Sequence, residues 1–196
     1  MTSRIVITGA PGSGKTEFLN RLRTYPELNG FAFFDELARQ LLAEHPTFRS
    51  QRREFHKEIY RRQIAREDAV RGKSFVTDRG TVDAFAFHPE TAQDVGTTIA
   101  SEYQRYDLVI QLGSAAALGS PYYVQDEIRN ESIEDALIIE SALRAVWTPH
   151  HNYIFVAAQL DCEAKFALCL AAVRRQIGGN AGGPANTKLR KMVFTL

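Results

Sequence analysis

Residues 9–16, Gly9-Ala10-Pro11-Gly12-Ser13-Gly14-Lys15-Thr16, have the types and spacing to bind a polyphosphate, because they fit the pattern G-x-x-x-x-G-K-[ST]. Gly9, Gly12 and Gly14 let the backbone turn sharply, so that the N–H groups of the loop, Ser13 included, form an anion-binding nest. The helix that follows adds the partial positive charge of its N-terminus. In such a loop Lys15 sits between β- and γ-phosphate oxygens, and the Thr16 hydroxyl holds Mg²⁺. The competing reading is a glycine-rich turn without a ligand. With Gly near 7% of average usage, the four fixed positions recur by chance in about one chain per hundred or fewer.

An Asp-Arg pair, an acidic pair and further arginines can complete this chemistry. Asp78-Arg79 directly follows an apolar run, where Asp78 can hold the Mg²⁺ shell through water and Arg79 can steady transferred phosphate oxygens. A surface turn with a local ion pair is the alternative. Asp35-Glu36 follows another apolar run, and either carboxylate can accept the proton of an attacking hydroxyl or cap the next helix. Asp83 presents the same choice between site and cap. Arg129 lies in a broken segment that can close over phosphates, supplying an arginine in cis. Arg62, Gln63 and Arg66 face either an acceptor or solvent. The five histidines have no metal-ligand spacing, so zinc chemistry is not expected.

The elements that must position these residues follow from hydrophobic periodicity. Short apolar runs at 4–8, 31–34, 74–77, 107–112 and 153–157 read as buried parallel strands. Helical patterns fill the intervals: 16–22 with Phe18, Leu19 and Leu22 on one face, 37–44, 50–70, a turn at 81–87, 94–103, 132–147 and 163–177. The 50–70 helix is expected to carry Phe55, Ile59, Arg66 and Val70 along one side. Residues 113–130 are irregular, broken by Gly113, Gly119 and Pro121. Alternation of strand and helix predicts an α/β fold, a parallel sheet covered on both faces in three layers. Right-handed crossovers then bring Gly9, Asp35 and Asp78 to one carboxyl edge, where open α/β sheets bind their ligands.

The bulk numbers are ordinary: 196 residues, 44% hydrophobic, 24% charged and a net charge of +1. That length suits one domain, residues 1–177, with residues 178–196 as a Gly-rich linker and tail. Near-neutral charge argues against nucleic acid as a partner class. No 18-residue apolar stretch and no charged-then-apolar leader is visible, so a soluble, cytoplasmic protein without a membrane association is the expectation. Cys162 and Cys169 lie two helical turns apart on one face and read as buried thiols, too distant for a disulfide.

With these residues in place, the chain resembles the P-loop nucleoside and nucleotide kinases. It is most similar to the AAA-domain family of small ATP-binding proteins that includes the NadR ribosylnicotinamide kinase domain. Four stretches carry the resemblance: Gly9 to Thr16; Phe34-Asp35-Glu36; residues 77–87, similar to an Asp-Arg-Gly-x-x-Asp-x-x-Ala-Tyr stretch with Phe87 in place of Tyr; and residues 126–131, similar to a lid in which Arg129 precedes a long helix. The resemblance implies a kinase-like strand order 2-3-1-4-5, a lid at about 113–130, and ATP with Mg²⁺ as phosphoryl donor. It leaves the acceptor open.

Two functions from different classes fit. One is a small-molecule kinase acting on a nucleoside, nucleotide or similar acceptor, with Lys15, Asp78, Arg79, Arg129 and one of Asp35 and Glu36 in catalysis. The other is a nucleotide-dependent ATPase switch that engages a protein partner through residues 113–130. The guanine motif Asn-Lys-x-Asp and the transporter signature Leu-Ser-Gly-Gly-Gln do not occur in the sequence.

Overall fold

The computed structural model of the chain describes residues 2–123 and 131–179. In chain order the elements are β1 (Arg4–Gly9), α1 (Lys15–Leu22), β2 (Ala32–Phe34), α2 (Leu37–Glu44), α3 (Arg52–Ala69), β3 (Phe75–Asp78), α4 (Asp83–Phe87), α5 (Thr91–Asp94), α6 (Ile99–Tyr103), β4 (Leu108–Leu112), α7 (Ile133–Trp147), β5 (Tyr153–Val156) and α8 (Cys162–Gly179). The five strands are parallel in the order 2-3-1-4-5, as expected.

Period-2 alternation along β1 divides the core between the two faces of the sheet. Ile5 and Ile7 point into a layer with Phe18, Leu19 and Leu22 of α1 and Phe166, Cys169, Leu170 and Val173 of α8. Val6 points the other way, into a layer with Phe85, Tyr106, Val109 and Trp147. The register sets the site. Ile7 lies beside Asp78, Gly9 beside Leu112, and Phe34 beside Thr77, so the carboxyl ends of β1, β2 and β3 are level.

Several sequence expectations shift. Of the helix expected at 94–103 only Ile99–Tyr103 forms, as α6, while the separate α5 ends at Asp94, because Gly96 takes φ +72 between them and Thr98 opens α6 with its own capping box. The last helix runs to Gly179, past the expected linker boundary at Gly178, and residues 180–196 lie outside the described residues. Cys169 is buried as expected, and burial pushes its thiol up to about 12, but Cys162 is exposed because it is the first residue of α8.

The inner face of α3 is the larger correction. Its buried residues are His56, Gln63 and Glu67, whereas Phe55, Ile59 and Val70 are only partly buried. Gln63 and Glu67 are tolerated there because each finds partners, whereas His56 Nδ1 is buried with none among the described residues. Gln63 donates to Glu67 at 2.6 Å and to the Thr77 hydroxyl at 3.0 Å. Glu67 also accepts from the Tyr106 hydroxyl and the Arg105 guanidinium, both at 2.9 Å. No described helix is long and apolar enough to cross a membrane.

His56 packs near-parallel to Phe87, ring centres 5.9 Å apart, with His88 at 5.8 Å. Burial, aided by His88 and Arg52, pushes its imidazole down to about 4, so it is neutral in the fold. In the unfolded chain the same ring titrates near 6.5. The stability that His56 contributes above about pH 6.5 is therefore lost as pH falls toward 4. Urea denaturation at pH 7 and pH 4 should show the wild type losing roughly 2–3 kcal/mol more than His56→Phe. Equal losses in the two proteins would remove His56 as the cause.

Candidate active site

The phosphate loop runs from the end of β1 into α1. Gly12 and Gly14 have φ +74 and +84, and a Cβ on Gly12 would lie 2.8 Å from the Tyr123 ring. Loop carbonyls are held from outside. The Ser114 hydroxyl donates to Pro11 O at 2.5 Å, Ala115 N to Gly12 O at 3.1 Å, and Lys165 Nζ to Ser13 O at 2.9 Å. Glu140 of α7 accepts from Ser114 N at 2.5 Å and so steadies this bracket. The first-turn N–H groups of α1 have no intrahelical partner and are free to serve an anion.

Lys15 opens α1 and is buried. Burial, reinforced by Arg79, lowers its pKa, while Asp78, Glu36 and Asp83 act in the opposite direction. These five charged residues therefore occupy one space at the sheet edge. Asp78 ends β3, and burial raises its carboxyl despite the pull of Lys15 and Arg79. Arg79, next in sequence, has φ +67, the one described non-glycine residue with positive φ. Its amide donates to Ile7 O at 2.9 Å, and its carbonyl accepts from the Thr77 hydroxyl at 2.9 Å. This strained backbone turns the guanidinium to span Glu36 and Asp83, each at 3.2 Å.

The two neighbouring acids at the end of β2 part company. The Asp35 carboxylate is 78% exposed and bound to Arg23 at 2.6 Å, away from Arg79. The Glu36 carboxylate is 21% exposed and faces Arg79. Burial pushes Glu36 up, but Arg79 and Lys15 more than offset it and hold the carboxyl below its usual value. Glu36 is also the N-cap position of α2, but its side chain makes no capping bond.

Asp83, weighed from sequence between site and helix cap, is the buried counter-charge of Arg79. It accepts from the Thr8 hydroxyl, from Gly80 N at 3.0 Å and from Trp147 Nε1 at 3.1 Å. Gln63 and Arg66, expected at an acceptor or in solvent, tie α3 to the strand ends instead. Arg66 donates to Asp35 O at 2.5 Å and to the Thr77 hydroxyl at 3.0 Å. Arg62 pairs with Glu58 and Glu44. Arg129 and most of the acidic end of the expected lid lie outside the described residues.

The donor set suits a hydrated, hard cation. Among the described residues Asp78 Oδ1 is buried with no hydrogen-bond partner, Ser13 Oγ likewise, and the exposed Thr16 follows Lys15 at the mouth of the loop. Mg²⁺ is commonly held by one or two protein oxygens, phosphates and water, which this sparse oxygen set fits. Among the described residues no cluster of three or more His, Cys, Asp or Glu could hold a metal.

Sequence reasoning missed Lys165, Glu140 and Trp147. Each reaches the site from a distant helix, and no local motif marks it. The one available signal was a lone lysine on the otherwise apolar inner side of the last helix.

Comparison with known proteins bears on the family and the fold. A family model described as AAA domain matches residues 4–165. Among solved structures, the deoxyadenosine kinase from M. mycoides, solved with bound dATP, is similar in fold at a TM-score of 0.60 and 14% sequence identity. The similarity covers 88% of this chain and 99% of that one. Comparison with curated proteins at the level of sequence returned no match.

Neutralising Asp83 leaves the buried Arg79 with Glu36 as its one remaining ion-pair partner among the described residues, and takes the carboxylate from the Thr8, Gly80 and Trp147 donors as well. Asp83→Asn should therefore lower stability by roughly 3 kcal/mol or more in urea denaturation. Thr8→Val, which deletes a single donor to that carboxylate, should cost about 1 kcal/mol. Equal losses in the two variants would mean that the charge on Asp83 is not what matters.

Proposed function

The chain belongs to the AAA-domain family, whose matched region spans the phosphate loop and every strand of the kinase-like sheet, and on that premise we propose that it is an ATP-dependent phosphotransferase acting on a small-molecule acceptor of the nucleoside or nucleotide type. One observation carries the proposal: Glu36, not its neighbour Asp35, faces Arg79 in the same buried space as Lys15. That arrangement sets a carboxylate opposite the loop that would hold the γ-phosphate, with an arginine between.

In this reading Gly9, Gly12, Ser13, Gly14, Lys15 and Thr16 hold the ATP phosphates. Thr16 and Asp78 would hold Mg²⁺, which when bound offsets phosphate charge and orients the leaving group. Lys15 and Arg79 offset the charge that spreads over the transferred phosphoryl oxygens. Glu36, kept ionised by Arg79 and Lys15, orients the acceptor hydroxyl and takes its proton as the new P–O bond forms and the bond to the ADP oxygen breaks. Arg129 is proposed to close over the phosphates in cis. Phosphoryl transfer asks mainly for positioning and electrostatic stabilisation, which a rigid sheet edge can supply.

ADP release with Mg·ATP, measured across nucleosides, nucleoside monophosphates and ribosylnicotinamide, tests this reading. One acceptor should stimulate turnover strongly, Lys15→Ala should abolish that stimulation, and Glu36→Gln should lower kcat by about 10²–10⁴-fold with little change in KM for ATP. Asp35→Asn should remain near wild type. Tight ATP binding without stimulation by any acceptor would instead favour the nucleotide switch acting through a protein partner.

A further inference from the structure

Lys165 is a half-buried cation that the phosphoryl-transfer scheme does not use. It lies in the first turn of α8, the helix that packs with α1 against Ile5 and Ile7. Its ammonium donates to two backbone carbonyls, Ser13 O at 2.9 Å and Gly113 O at 2.6 Å. Gly113 is itself anchored. Its N–H donates to Val156 O at 2.7 Å, and any Cβ on it would lie 2.5 Å from Ala158 N.

We propose that Lys165 is a positioning residue for polyphosphate binding: it fastens the Ser13 carbonyl to the end of β4 and thereby aims the Gly14 N–H into the loop. The warrant is the planarity of the trans peptide. Ser13 C=O and Gly14 N–H belong to one peptide unit and point in opposite directions, so a cation holding the carbonyl outward turns the amide inward. The same cation polarises that peptide and makes its N–H a stronger donor. The charge of Lys165 also lies behind the loop, where a bound anion benefits from it without direct contact. Burial lowers the Lys165 pKa, with Glu140 among the groups that oppose the shift.

This inference rests on the reading that residues 9–16 hold a polyphosphate, and the test separates the two. Inorganic tripolyphosphate and Mg·ATP are titrated calorimetrically into wild type, Lys165→Met, Lys165→Gln and Lys165→Arg, with thermal melting of each protein as the check on folding. Lys165→Met should bind both probes about tenfold or more weakly, as expected for loss of hydrogen bonds from a charged group. Lys165→Gln should be intermediate, and Lys165→Arg, which keeps charge and donors, should restore most of the affinity. In turnover assays KM for ATP should rise while kcat stays within a few-fold, since the loop grips ground state and transition state alike. Hydrogen exchange at the Gly14 amide in the tripolyphosphate-bound protein should quicken in Lys165→Met.

Wild type that binds neither probe would overturn the polyphosphate reading and this inference together. Wild type that binds, with folded Lys165→Met or Lys165→Gln unchanged in affinity, would overturn the inference alone.

Discussion

The structure depends on compensating charge inside a sheet edge that water barely reaches. Lys15, Glu36, Asp78, Arg79 and Asp83 interact with one another there, and an isolated ion in such a place costs several kcal/mol. Arg79 resolves most of the conflict by bridging Glu36 and Asp83, at the cost of a backbone with φ +67. What remains over is informative. Among the described residues one oxygen of the buried Asp78 carboxylate is left without a hydrogen-bond partner. The edge is therefore satisfied where it must be rigid and unsatisfied where a charged ligand would enter.

That economy explains the roles of the surrounding helices. The α1–α8 layer buries apolar surface against Ile5 and Ile7, and it delivers Lys165 to the back of the loop. The opposite layer buries Val6, and it delivers Trp147 to Asp83 and Gln63 to the end of β3. Each face thus contributes both hydrophobic stabilisation and a polar group that fixes the carboxyl edge. Burial provides most of the free energy, and the polar contacts determine a single geometry for it.

Much of this was legible in the sequence because the signals were local. The loop from Gly9 to Thr16, the apolar strands and the acid after β3 all declare themselves within a few residues. What was not legible depended on contacts between residues far apart in the chain. Asp35 and Glu36 look equivalent in a linear reading. Only the course of the chain after Phe34 sends one toward Arg23 and the other toward Arg79. The inner stripe of α3 was misjudged because His56, Gln63 and Glu67 are polar, and their partners Thr77, Arg105 and Tyr106 come from later in the chain. Gly96 divided a helix that periodicity alone ran together, since its positive φ overrides the pattern around it. Asp83 and Trp147, separated by 64 residues, meet only after the second layer has packed.

The last of these contacts gives the protein an optical property. Trp147 is the single tryptophan of the chain, it is fully buried, and its indole N–H is bonded to the carboxylate that also carries Arg79. Indole emission is sensitive to nearby charge and to hydrogen bonding at that nitrogen. The intrinsic fluorescence of the unlabelled protein is therefore wired to the ion pairs of the sheet edge, and a change in the grip of Asp83 on Arg79 has its own colour.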